Sequence, residues 1–277
     1  MTENAGLVMR ADVRRSAMFL GLVLLFSLPL LLLPGELPGG LRLPPSAAMA
    51  VTPLLAALAA ARLTDGTDGP RRVLAHLTRW HVRRGSWWLV LAGTPPLVLL
   101  AAADVVPAVR GGTGDDTGAP LSVVVVMAAV FVVSGLTEQV GWTGYLQPLW
   151  QHRLGRLTSG VAIGTVWGLW HVGAYAQAGW DAGWIAGQVA YSVALRVVLQ
   201  ELVAASGGGV TAAAVVQAGS NTAWLALPPS LYDPAVAALV TTALAAVVLA
   251  GRVAPRTAPP TSPSVNRTVT EGRTRWQ

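Results

Sequence analysis

Three polar side chains sit inside runs that are otherwise apolar. Glu138 follows the stretch Leu121–Val133, His171 ends the run Val161–Trp170, and Asn221 lies inside Val210–Leu227. An ionisable group at membrane depth costs at least ~2.5 kcal/mol on insertion scales, so its presence argues for use. A carboxylate and an imidazole that share one water can hold it and take its proton. Gln217 precedes Asn221 by one helical turn, as Trp167 precedes His171, so each pair shares a helix face. The two amides could donate hydrogen bonds to a developing oxyanion. Each residue also has a plainer reading: a structural glutamate near a helix end, a core histidine, and amides serving as interhelical glue.

The elements that must position these groups are membrane spans. The chain has 277 residues, 53% hydrophobic and only 12% charged, with mean hydropathy +0.54. A soluble domain carries about 25% charged residues. The apolar residues come in blocks of roughly 17–25, the length that crosses a bilayer as a helix. No segment alternates with period two, which excludes strands of useful length. The expected fold is all-α, a polytopic transmembrane bundle of about eight spans near 16–34, 46–62, 87–108, 121–146, 160–178, 183–203, 209–227 and 234–251. Residues 1–15 read as a cytoplasmic N-terminal segment and 16–251 as the helical domain. The Pro-, Thr-, Ser- and Arg-rich stretch 252–277 reads as a disordered cytoplasmic tail. The first apolar run is long for a signal peptide and lacks a small-residue cleavage site, so it reads as a retained helix.

All 19 basic residues are arginines, and there is no cysteine. Thiol and Lys-nucleophile chemistry are therefore excluded. The arginines cluster between spans rather than on one soluble face, which points to membrane lipid as the partner and not to nucleic acid. Sixteen of the 19 fall on one side of the expected topology, which puts both termini in the cytoplasm. His171 then lies about 16 Å into its span at ~1.5 Å per residue, and Asn221 at a similar depth. Convergence of the polar positions near mid-membrane is the expectation.

The motifs resemble a known family. Glu138-Gln-Val-Gly-Trp142-Thr-Gly-Tyr-Leu is similar to the first motif, Glu-Glu-x-x-x-Arg, of the CAAX-protease and bacteriocin-processing family of intramembrane proteases. Trp167-Gly-Leu-Trp-His171 resembles the second motif, Phe-x-x-x-His, and Gln217-Ala-Gly-Ser-Asn221 the third, His-x-x-x-Asn. The resemblance covers about 120–226. It implies an all-helical bundle with a cytoplasm-facing cavity and hydrolysis of a peptide bond in a membrane-associated peptide or protein substrate. It implies that Glu138 and His171 activate water, that Asn221 and Gln217 supply oxyanion donors, and that Gln139, Trp142, Thr143 and Trp167 support them. A bacterial plasma membrane is the implied location, with bacteriocin maturation or immunity as the implied context.

Three positions depart from the pattern. The second Glu is Gln139, the Arg is Thr143, and the third-motif His is Gln217. The first two changes together remove one anion and one cation, so the buried charge balance survives. Gln217 cannot become cationic. No cofactor is assigned; if zinc binds, Glu138 and His171 are its expected ligands, and Asn221 would be a poor third. His76, His81 and His152 read as surface residues. Arg196 and Glu201 read as a structural pair or as facing the cavity. The tryptophans at 87, 88, 180, 184 and 224 read as interfacial belts. Two further readings stay open: a catalytically impaired relative acting as a membrane immunity or scaffold protein, and a transporter.

Overall fold

The computed structural model describes residues 2–38, 43–78, 82–111 and 117–253. The expected tail from 254 onward, Arg79 and His81 lie outside the described residues. Among those described there is no strand, and ten α-helices form a membrane bundle. They are α1 Thr2–Leu32, α2 Thr52–Asp65, α3 Gly69–Thr78, α4 Ser86–Arg110, α5 Leu121–Gln139, α6 Gln147–Leu154, α7 Arg156–Gln177, α8 Ala182–Ser206, α9 Gly209–Ala226 and α10 Pro234–Val253. The eight expected spans correspond to all of these except α3 and α6. A 3-10 turn, Pro45–Val51, leads into α2, and a π-helical segment, Val140–Leu146, joins α5 to α6.

The polarity is that of a protein in lipid. Leu24, Leu25 and Leu28 of α1, Leu89 and Leu97 of α4, and Val125, Val132 and Val133 of α5 are all exposed. Gln139, Arg196, Gln200 and Gln217 are buried. Apolar outside and polar inside follows when the solvent is hydrocarbon and every interior polar group must find a partner within the protein. Among the described residues, six helical stretches are long and apolar enough to cross a membrane. Helices α7 and α9 are not among the six, and they carry His171, Gln217 and Asn221.

α1 starts at Thr2, well ahead of the span expected from residue 16. The segment lacks Pro, and its Arg15 is paired with Asp65 of α2, 2.5 Å away, so the helix has reason to continue. Pro29 lies within α1 and Pro95, Pro96 and Pro107 within α4, as membrane helices tolerate. The end of α1 is capped from another helix. The Gln177 amide donates to the carbonyls of Leu31 and Leu33, at 3.2 and 3.1 Å, and its oxygen accepts from the Ser46 N–H at 3.1 Å. This one side chain satisfies terminal carbonyls that would otherwise be orphaned.

Helix α8 is the centre of the bundle, packed on α7, α9 and α10. Its approach to α7 is close because Gly164 has no side chain: a Cβ there would stand 2.8 Å from the Val193 Cα. Gly141 does the same for α2. A Cβ at 141 would stand 2.7 Å from both the Cβ and the carbonyl oxygen of Pro53. The structure gives Gly141 a packing task, and Gly144 faces Val210 and the half-buried ring of His76. His76 is thus docked on the bundle rather than free on the surface.

Gly141→Ala forces overpacking of about 1–3 kcal/mol. Gly21, by contrast, has nothing within 4 Å of its would-be Cβ. In detergent, the melting temperature followed by tryptophan fluorescence drops for Gly141→Ala and holds or rises for Gly21→Ala. Equal shifts in the two variants would refute this packing account.

Candidate active site

Glu138 is the last residue but one of α5, and the chain then changes pitch. The π segment alters how successive side chains are distributed around the axis, and such segments recur at functional sites. Here Trp142 faces inward to Phe19 and Trp170, with ring centroids 5.4 and 5.8 Å away. Gln139, Thr143 and Gln147 face α8 instead, toward Arg196. The sequence reading treated 121–146 as one regular span and missed the π segment.

Glu138 is 4% exposed, and its carboxylate is held by donors from neighbouring helices. The Trp167 indole N–H donates to Oε2 at 2.9 Å. Gln217 also lies against this carboxylate. The Gln217 oxygen is already taken by the Gln139 amide, at 2.7 Å, so the amide nitrogen is the group left to meet Glu138. His171 Nε2 stands 4.0 Å from Glu138 Oε2. Its Nδ1 is 2.8 Å from the Trp167 carbonyl oxygen, which can only accept, so Nδ1 carries the proton. In a neutral ring Nε2 then presents a lone pair toward Glu138.

Two acceptors 4.0 Å apart do not bond each other. They suit one bridging water. With both hydrogen bonds near ~2.8 Å, the acceptors stand about 90° apart at the water oxygen, close to the spread of its hydrogens. The water's lone pairs then point away from both groups. Tyr175 stacks on the far face of His171, 5.5 Å between centroids, and Trp170 packs edge-on at 4.5 Å, so the ring is fixed in place.

Glu138, His171, Gln217 and Asn221 all line one cavity of about 270 Å³. Helices α5, α7, α8 and α9 form its walls, with the 3-10 turn before α2. The cavity runs from Glu138 toward Pro44, Ala178, Trp180 and Trp224. Those residues lie at the arginine-poor ends of their helices. On the arginine-rich side the interior is filled by Gln139, Trp142, Thr143, Leu146 and Arg196, all buried.

Trp180 and Trp224 therefore line the cavity instead of forming only an interfacial belt. Trp184 bridges them, stacked on Trp180 at 4.1 Å and 5.8 Å from Trp224.

Two sequence assignments change. Gln217, expected as an oxyanion donor, has its oxygen taken by the Gln139 amide, and its own amide is on the Glu138 side, so it supports the carboxylate and leaves Asn221 as the other amide on the cavity wall. Arg196, expected to pair with Glu201, bonds instead to Gln139, Thr143, Gln147 and the Trp142 carbonyl. Arg196 and Glu201 are five residues apart and leave α8 on different faces. Glu201 lies 3.7 Å from Arg156 of α7.

The donor set does not fit a zinc site built on three protein ligands. Glu138 and His171 are the cavity's carboxylate and imidazole, and their other neighbours are amides and aromatic rings. Among the described residues no group of three His, Cys, Asp or Glu is placed to hold a metal.

The structure is a helical membrane bundle with a buried carboxylate and an imidazole on the wall of one cavity. Residues 120–223, α5 through most of α9, match the family model described as Type II CAAX prenyl endopeptidase Rce1-like. No curated protein matches the chain.

Trp167→Phe keeps the backbone carbonyl that holds His171 but strips a buried hydrogen bond from Glu138. A double-mutant cycle with Glu138→Gln, read from thermal stability in detergent, should return a coupling of ~1.5–3 kcal/mol, the range for hydrogen bonds to charged groups. Additive losses would show that the indole N–H does not hold the carboxylate.

Proposed function

We propose that the protein is an endopeptidase that hydrolyses a peptide bond in a membrane-associated substrate, using water activated by Glu138 and His171. The observation that carries this is the 4.0 Å gap between Glu138 Oε2 and His171 Nε2 on the wall of a cavity. The carboxylate takes the proton as the water attacks the scissile carbonyl, and His171 Nε2 accepts a hydrogen bond from the same water. The Asn221 amide stabilises the oxyanion that forms, a contribution worth ~3 kcal/mol. The proton then passes to the leaving amine. Trp167 orders both catalytic groups, one through its indole and the other through its carbonyl. The cavity wall is largely apolar and aromatic, which suits a hydrophobic peptide segment or a lipidated one.

The arginine distribution supports an orientation in the bacterial plasma membrane with both termini cytoplasmic. The cavity then extends toward the outer face, whereas the family resemblance implies a cytoplasm-facing one. We assign the outer face, because the arginine bias is strong and the inner side is packed shut.

In a cleavage assay on membrane-anchored and prenylated peptides, Glu138→Gln and His171→Ala should each lower kcat at least 100-fold, and Asn221→Ala about 100- to 1,000-fold. A metal chelator should leave the rate unchanged. Cleavage that survives both Glu138→Gln and His171→Ala would sink the mechanism. A folded wild type that cleaves nothing would favour the scaffold reading.

The absence of cysteine allows a direct test of orientation. A single Cys at Ala178 or Ala47 should react with a membrane-impermeant thiol reagent in intact cells, and a Cys at exposed His152 only after lysis. The reverse pattern would put the cavity on the cytoplasmic side.

A further inference from the structure

We propose that Arg196 is a positioning residue for Glu138, acting as its counter-cation through a relay of two side-chain amides. The proposal rests on the hydrolytic reading of the site for its catalytic consequence, but not for its existence. Arg196 is fully buried at the centre of the bundle. Its guanidinium donates to Gln139 Oε1 at 2.9 Å, Thr143 Oγ1 at 3.0 Å, Gln147 Oε1 at 2.7 Å and the Trp142 carbonyl at 3.4 Å. All four acceptors are neutral. A cation removed from water is costly unless an anion compensates it.

The relay supplies that anion with a consistent polarity. Arg196 N–H donates to the Gln139 carbonyl, and the Gln139 amide donates to the Gln217 oxygen at 2.7 Å. The Gln217 amide is then left facing the Glu138 carboxylate. Every donor in the series points from the cation to the anion. Hydrogen bonds aligned this way polarise one another in a low-dielectric interior. Each amide is also locked against a flip, because reversing either would set oxygen against oxygen or place an N–H on the guanidinium.

Three sequence features now share one explanation. Gln139, Thr143 and Gln217 are the three positions that depart from the motifs, and all three lie in this network. Thr143 has no charge, and the guanidinium beside it comes from α8. Its hydroxyl bridges Gln139 and Arg196. The departures form one connected replacement.

A purely structural role, with Arg196 tying α8 to the π segment, makes a different forecast. It predicts no energetic dependence on Glu138, three hydrogen bonds away. The test is a double-mutant cycle between Arg196→Gln and Glu138→Gln, read as melting temperature in detergent. The expected result is non-additive: the double variant recovers at least half of the loss caused by Arg196→Gln alone. In a Gln217→Leu background, which cuts the relay, the recovery should vanish. If Arg196→Gln alone does not fold, folding of the double variant is the supporting outcome, and failure of both overturns the proposal. Additive losses also overturn it.

Cleavage supplies the second readout. Arg196→Gln should lower kcat about tenfold with KM unchanged, the size of one charge-assisted hydrogen bond. Arg196→Lys, which keeps the charge without the planar fork, should fall between the two. A loss confined to KM contradicts the positioning role. The melting cycle stands whether or not the protein cleaves peptides, so failure of the hydrolytic reading is told apart from failure of the relay.

Discussion

Everything near the site answers to one constraint: a carboxylate has been placed inside a membrane bundle where water does not reach from the lipid side. Each lone pair of Glu138 must therefore be met from the protein or from the cavity. The structure meets the need with neutral donors, an indole N–H from α7 and an amide from α9. Direct contact with a cation would hold the carboxylate as half of a salt bridge. Neutral donors orient it and leave one side open to the cavity, where a reacting molecule can sit. The 4.0 Å spacing to His171 expresses the same choice, since a direct bond would leave no place for water between them.

That geometry depends on helix packing some distance away. Trp167 can reach Glu138 only because α7 is held against α8, and that approach depends on a glycine, Gly164, facing Val193. The π segment after Glu138 is held down by Gly141 on Pro53 and by Trp142 among Phe19 and Trp170. Ser27 of α1 accepts from the Trp170 indole at 2.9 Å, which ties the first helix to the one that carries His171. Small residues bring the backbones close, Trp167 and Trp170 fix the spacing with both volume and an N–H, and Trp142 does so with volume.

The fold was largely legible in the sequence because hydrocarbon imposes length and polarity on every span. Runs of roughly 20 apolar residues and the arginine clusters between them pointed to eight long helices, although α1 begins 14 residues ahead of its expected start and six stretches among the described residues meet the length and hydropathy of a span. Glu138, His171, Gln217 and Asn221 stood out for the same reason, as polar groups where polarity is expensive. What stayed hidden depended on contacts between segments far apart in the chain. Arg196 had an acidic residue about one turn away, and local pairing was the natural reading; its acceptors come instead from positions 139 to 147. The pitch change at Val140 leaves no mark that composition or periodicity can show. Gln217 matched an oxyanion donor by type and position, yet which end of its amide is occupied is a property of the assembled interior.

The motif departures show why a one-dimensional pattern undercounts what a site retains. Read along the chain, Gln139, Thr143 and Gln217 are three losses, two of charge and one of an ionisable ring. Read across the interior, each is a hydrogen-bonding side chain whose partner is present and correctly oriented. Here the carbonyl of Gln139 and the hydroxyl of Thr143 both meet a guanidinium that the motif does not contain. An arginine buried at the centre of a membrane bundle is too costly to persist by chance. The guanidinium that meets Gln139 and Thr143 comes from α8, far away in the chain, and only the packed structure shows the contact.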